Sequence, residues 1–352
     1  SGSSASDRNN AQVAIASKNS ATTDGACSFN SWITDGVRLT IDTQFVGAYL
    51  LTVVFFSGSD VLNALAFERS HGSATTAIDF TGVGFEFSTL FTLGSRSSSD
   101  GHVTHSPFSF GTTINDVSAT PAQKTMGWAG RYLTAVGTQT TYVGNNVALC
   151  TPHFDTNFYN MTISDIDSTG FTHTTSARVN TWFMGLAIEF AAGTQMALFD
   201  VSIPTTGNYA ETNPGFLPDF GMLASVVGPT AYNTVDVSSA GAAFSLATFD
   251  SSSIYTNTGT DEDGPTVMNS KSLSSDQYRI LDNDGVNDAV LASSYALDSD
   301  GWDFTLSTNP AAAILGFGLA IAEEVPLAWT LAGAQQAYTL GLGTVTFPLG
   351  KV

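Results

Sequence analysis

At 352 residues the chain is longer than one ordinary domain and fits two with extra arms. Hydrophobic residues make up 43% and charged residues only 12%, which excludes a disordered polar chain and leaves little for long charged surface helices. Against 31 acidic residues stand 11 basic ones, and the formal net charge of −20 repels phosphate backbones, so direct DNA or RNA binding is not expected. Solubility in a salty medium explains that charge, with a cation-binding surface as the alternative.

Residues 1–36 are mostly Ser, Asn, Ala and Asp with little periodicity, and they read as an extended N-terminal arm ordered by what it touches. Val37 to Asp42 alternates with period two, as a half-buried strand does. Ala48 to Phe56 is a continuous apolar run and reads as a central strand. Further strands are expected at Val61–Phe67, Phe87–Leu93, Thr125–Trp128, Val147–Cys150, Tyr159–Ile163, Phe171–Thr175 and Trp182–Phe190, with a polar loop over 95–105. These make a first β-sandwich over 37–190.

A second sandwich is expected over 191–324. Its strands are Met196–Ile203, Phe220–Val227, Ala242–Phe249, Tyr278–Leu281, Asp288–Leu291, Trp302–Leu306 and Ile314–Ile321, with an acidic loop across 250–276. Residues 325–352 add Ala328–Leu331, Ala337–Leu342 and Thr344–Phe347, strands suited to completing a sheet or contacting a neighbour. No targeting leader or membrane span is read: the most apolar run, Ala311 to Ala322, is too short to cross a bilayer. Cys27 and Cys150 read as two isolated thiols, a single bridge from arm to sandwich being the alternative, and no zinc spacing occurs.

One phrase is stated twice. Gly84-Phe85, then Asp167 to Gly170-Phe171, then Gly185 recur as Gly215-Phe216, Asp298 to Gly301-Trp302, and Gly316, each glycine displaced by the same 131 residues. Gly before an aromatic supplies a turn and then a core anchor. The Asp-x-x-Gly-aromatic turn is capped by its own Asp. A glycine inside an apolar strand marks a bulge or close crossing. All of these anchors are architectural.

Few residues suggest chemistry. Asp282, Asp284 and Asp288 surround Gly285 with the alternate-oxygen spacing of a calcium loop, but the distal Glu is missing and a solvated hairpin explains them without a metal. No other cofactor is suggested. His102, His105, His153 and His173 could gather a transition metal, although the second copy has no counterparts and ordinary histidines are the simpler reading. Asn160-Met161-Thr162 matches a glycosylation acceptor inside an expected strand. No nucleophile elbow, zinc-protease helix, phosphate loop or dinucleotide fingerprint occurs, and no enzymatic activity is expected.

Thr81-Gly82-Val83-Gly84-Phe85 and Asn213-Pro214-Gly215-Phe216-Leu217-Pro218-Asp219-Phe220 resemble a strand motif of structural proteins of tailed bacteriophages, especially marine ones. Asp298-Ser299-Asp300-Gly301-Trp302 and Leu315-Gly316-Phe317-Gly318-Leu319 resemble the later parts of the same pattern. The resemblance spans about 80–190 and 213–322. The first copy departs from it, with Phe87 in place of Pro and Thr169 in place of the second Asp. It implies a virion component in an extracellular particle, with no catalytic residues and with head, neck and tail positions all open.

The expectation is therefore all-β, two tandem antiparallel β-sandwich (jelly-roll-like) domains with extended terminal arms. They form a non-enzymatic virion structural protein, a capsid-decoration or tail component. Its expected partners are copies of itself and other virion proteins, with no nucleic acid and no membrane. The alternative is an adhesin binding a host surface glycan or receptor through loops 95–105 and 250–276, with Trp128 or Tyr255 stacking on sugar.

Overall fold

The structure is a computed structural model of the chain. It describes residues 6–8, 13–19, 22–33, 36–44, 54, 56, 58, 60–70, 76–95, 101–103, 106–115, 120–130, 139–152, 158–176, 182–238, 242–261, 268–273, 278–281, 288–322 and 343–348.

Twenty-seven strands and no helix occur among the described residues. The N-terminal four are β1 (Ser6–Arg8), β2 (Val13–Asn19), β3 (Thr22–Ile33) and β4 (Gly36–Thr43). The first half holds β5 (Val61–Ser70), β6 (Ile78–Phe80), β7 (Thr89–Ser95), β8 (Gly101–Val103), β9 (Ser106–Ile114) and β10 (Ala122–Gly130). It continues with β11 (Gln139–Gly144), β12 (Leu149–Pro152), β13 (Phe158–Asp167), β14 (Gly170–Thr175) and β15 (Trp182–Phe190). The second half holds β16 (Gln195–Ile203), β17 (Tyr209–Glu211), β18 (Phe220–Val226), β19 (Thr234–Ser238), β20 (Ala242–Phe249) and β21 (Ile254–Asp261). It ends with β22 (Met268–Leu273), β23 (Arg279–Leu281), β24 (Asp288–Asp298), β25 (Gly301–Thr308) and β26 (Ile314–Ala322), and β27 (Gly343–Pro348) follows.

Every ladder between these strands is antiparallel. The first half makes a large sheet ordered β5-β15-β7-β9-β10-β11 and a small one ordered β6-β14-β13-β12. Advancing each label by eleven gives the second half's sheets, β16-β26-β18-β20-β21-β22 and β17-β25-β24-β23. One strand breaks this correspondence: β19, the counterpart of β8, leaves its own half and pairs with β11, making the first large sheet seven-stranded.

Three apolar layers separate the four sheets. Between the first small and large sheets lie Leu90, Leu149, Met161, Ile163, Phe171 and Phe183. The second pair encloses Leu223, Phe249, Ile280, Val290, Trp302 and Phe304. The third layer joins the two large sheets to each other, with Phe110, Met126 and Ile188 against Met222, Phe317 and Leu319. Each large sheet is therefore covered on both faces. Burying a side chain as large as Trp302 contributes roughly 2–3 kcal/mol.

Polar side chains stitch sheet to sheet within a half. Gln123 of β10 donates to the Ile163 carbonyl and accepts from the Ile163 N–H, both at 2.8 Å, so its amide stands in for a missing strand partner on β13. Thr125 donates to the Phe110 carbonyl and accepts from Cys150 N–H. In the second half Thr258 does the same between Phe244 and Leu281.

Several expectations are corrected. Residues 13–19 and 22–33, within the expected arm, are strands of a sheet ordered β2-β3-β4-β27. The span 250–276 holds β21 and β22, because Ile254, Thr256, Thr258 and Thr260 alternate β-branched side chains into the interior. Residues 101–103 of the expected loop are β8. Val54 and Phe56 belong to no strand and pack on the layer between the large sheets. Most of 48–56, together with Ala328–Leu331 and Ala337–Leu342, lies outside the described residues.

Candidate assembly interface

The repeated anchors meet one another in space. Gly84 has φ +80° and donates its N–H to the Thr169 carbonyl at 3.0 Å; Gly215 has φ +72° and donates to the Asp300 carbonyl at 2.9 Å. In each half the loop before the second large-sheet strand is thereby clasped to a hairpin turn of the small sheet. Left-handed backbone suits glycine because a Cβ would crowd the following carbonyl. A Cβ on Gly170 would lie 1.8 Å from the Phe80 carbonyl oxygen, and one on Gly301 the same distance from that of Glu211. The aromatics that follow, Phe171 and Trp302, are buried, while Phe85 and Phe216 pack half-buried on the same cores.

The two turns differ in one residue. Asp167 accepts from the Thr169 N–H, the Thr169 hydroxyl and the Gly170 N–H, and the Thr169 hydroxyl leads these donors in holding its carboxyl below the usual range. Asp298 accepts from the Asp300 N–H, but the residue in the place of Thr169 is now Asp300, a second carboxylate. Sharing a hydrogen bond with Asp298, and standing near its charge, raises the Asp300 carboxyl above the usual range.

The third anchor shifts. Gly185 lies opposite Phe67, whose ring would be 2.3 Å from an added Cβ. Its counterpart opposite Phe199, also at 2.3 Å, is Gly318; Gly316 instead lies against the Ala224 carbonyl. The 131-residue spacing holds through the turns and slips by two in the last strand.

The other candidates disperse. Asp282 and Asp284 lie outside the described residues, and Asp288 is engaged by Arg279 at 3.0 Å. His105 and His153 also lie outside them, whereas His102 is on β8 and His173 is buried against Phe171. No group of three His, Cys, Asp or Glu side chains gathers among the described residues. Burial drives the His173 imidazole down to about 4, so it is neutral. Trp128 packs on Phe244, and both it and Tyr255 are buried, so neither can stack on a sugar. Cys27 and Cys150 are buried and not joined by a disulfide. Asn160 faces Cys150 across the β12–β13 ladder.

What the sequence did not reveal is the polar seam where the halves join. The β19–β11 ladder runs from Gln139↔Ser238 to Val143↔Thr234. Asn233, at φ 60°, turns the chain into it, giving its N–H to the Val143 carbonyl at 2.7 Å and its Nδ2 to Asn145 Oδ1 at 2.6 Å. Its Oδ1 accepts from the Asn145 N–H at 3.1 Å. Beside them the buried Lys124 of β10 reaches Asp200 of β16 at 2.5 Å, and Asn145 Nδ2 donates to the other carboxylate oxygen at 2.9 Å. Tyr232 donates its hydroxyl to the Val201 and Gly316 carbonyls. The Lys124–Asp200 pair thus bridges the two large sheets across their shared apolar layer.

Among the described residues, several sheets end in edge strands: β5 on the first large sheet, β16 and β22 on the second, and β2 and β27 on the sheet built with the N-terminal strands. Such edges present unpaired backbone groups to further strands. No family model matches the chain, and no curated protein matches it.

Proposed function

We propose that the chain is a non-enzymatic structural subunit that assembles with copies of itself into a virion, as a capsid-decoration or tail component. The observation that carries this reading is β19, a strand that leaves its own half to extend the other half's sheet. Strand addition between sandwich units is already how the chain joins itself, and the same chemistry can join copies. The motif resemblance around Gly215 and Gly301 supplies the virion, and the open sheet edges supply the contacts. Burial of Trp128 and Tyr255 removes the aromatics on which the glycan-binding alternative relied.

The particle assignment is tested by mass spectrometry of purified virions that encode this chain. Peptides at a stoichiometry of many copies per particle are expected. Their absence from intact particles would sink the virion role.

A further inference from the structure

β19 lies between β18 and β20 in the chain yet pairs with neither; it forms the outer edge of the first half's large sheet, on β11. Its counterpart in the first half is β8, and the counterpart of β11 is β22. These two are not paired within the chain. β8 is held only by β1, through Ser6↔Val103, Asp7↔His102 and Arg8↔Gly101, in a two-stranded ribbon joined to no other sheet among the described residues. β22 pairs with β21 on one side and has no strand on the other among the described residues.

Both features are incomplete in the same sense. A two-stranded ribbon alone is marginal in water, and an unpaired edge is a template for another strand. The first large sheet shows how the fold completes such an edge: an antiparallel strand donated by the other unit, from the segment after that unit's second large-sheet strand. We infer that β22 of one copy receives β8 of a second copy, antiparallel, the β1–β8 ribbon extending the second large sheet as β19 extends the first. Donor and acceptor are different patches, so the contact is head-to-tail and is satisfied in a ring, a filament or a reciprocal pair. This pairing rests on the self-assembly proposed above and names the surface it uses.

Hydrogen exchange read by mass spectrometry on the full chain, dilute and assembled, tests it. Peptides covering 268–273 and 101–103 are expected to gain protection together on assembly. Neighbouring N–H groups in a strand point to opposite sides, so of Ser270→Pro and Lys271→Pro one removes a donor from the free edge only. That variant should keep the monomer's melting temperature and fail to assemble. A chain that stays monomeric at every concentration overturns the assembly reading and this pairing together. Assemblies in which 268–273 exchanges as fast as in the monomer, or which form with both proline variants, overturn the pairing alone.

Discussion

At Asp300 the second half carries a carboxylate where the first half carries the Thr169 hydroxyl. A hydroxyl can donate to the neighbouring Asp, as Thr169 does to Asp167 at 2.7 Å, but an ionised carboxylate cannot. The Asp300 carboxyl is raised in the fold, so the folded state holds its proton more tightly than the unfolded state, and stability falls as pH rises through that range. Replacing Asp300→Thr should therefore raise the melting temperature at neutral pH, with the gain shrinking in acid. An equal gain at all pH values would contradict the shared-proton explanation. His173 carries the opposite sign. Buried and neutral with a folded value of about 4, it must charge as pH falls below its ordinary 6.5, so stability is lost between those values, at about 1.4 kcal/mol per unit of separation. Its counterpart across the repeat is Phe304, packed in the same strand of the second small sheet. His173→Phe should flatten the acid limb of a melting-temperature profile between pH 6.5 and 4, and an unchanged limb would place that loss elsewhere.

At the scale of single strands, Lys124 on β10 and Asp200 on β16 form the charged contact across the apolar layer. The Asp200 side chain is 41% exposed and that of Lys124 only 10%, so the carboxylate contributes mainly by keeping the buried ammonium paired. Asp200→Ala should cost about 1–3 kcal/mol, below the figure for a fully buried pair because water reaches the carboxylate. Lys124→Met in the same chain should restore most of that loss, since the stranded charge is gone. A double variant as unstable as the sum of the single ones would contradict this, read by urea denaturation. No local signal announces this pair, because its members are 76 residues apart and sit in different sheets. The Asp-Gly turns and apolar strands such as β7, β15, β18 and β26 were legible, since glycine, aspartate and continuous apolar runs have direct backbone meanings. β9, β11, β21 and β22 were not. The interiors of β9, β11 and β21 rely on Thr112, Thr113, Thr140, Thr141, Thr256 and Thr260, which are buried although polar, and which read in a sequence as loop. The repeat itself was legible at Gly84 and Gly170, and it misled only at Gly316, where two extra residues had accumulated before the last strand.

Among the described residues, β5 to β26 form two copies of one strand order pressed together through their large sheets, with the apolar layer from Phe110 to Leu319 common to both. That shared core is joined by the β19–β11 ladder and the Lys124–Asp200 pair. What remains open on such a body is its sheet edges, and backbone edges recruit strands. The proposed pairing uses main-chain groups of β8 and β22, where side-chain motifs say least. Sedimentation velocity of the purified chain over a wide concentration range tests self-assembly most directly. Discrete species larger than one chain, growing with concentration, are the expected result; a single species of one-chain mass throughout would contradict it.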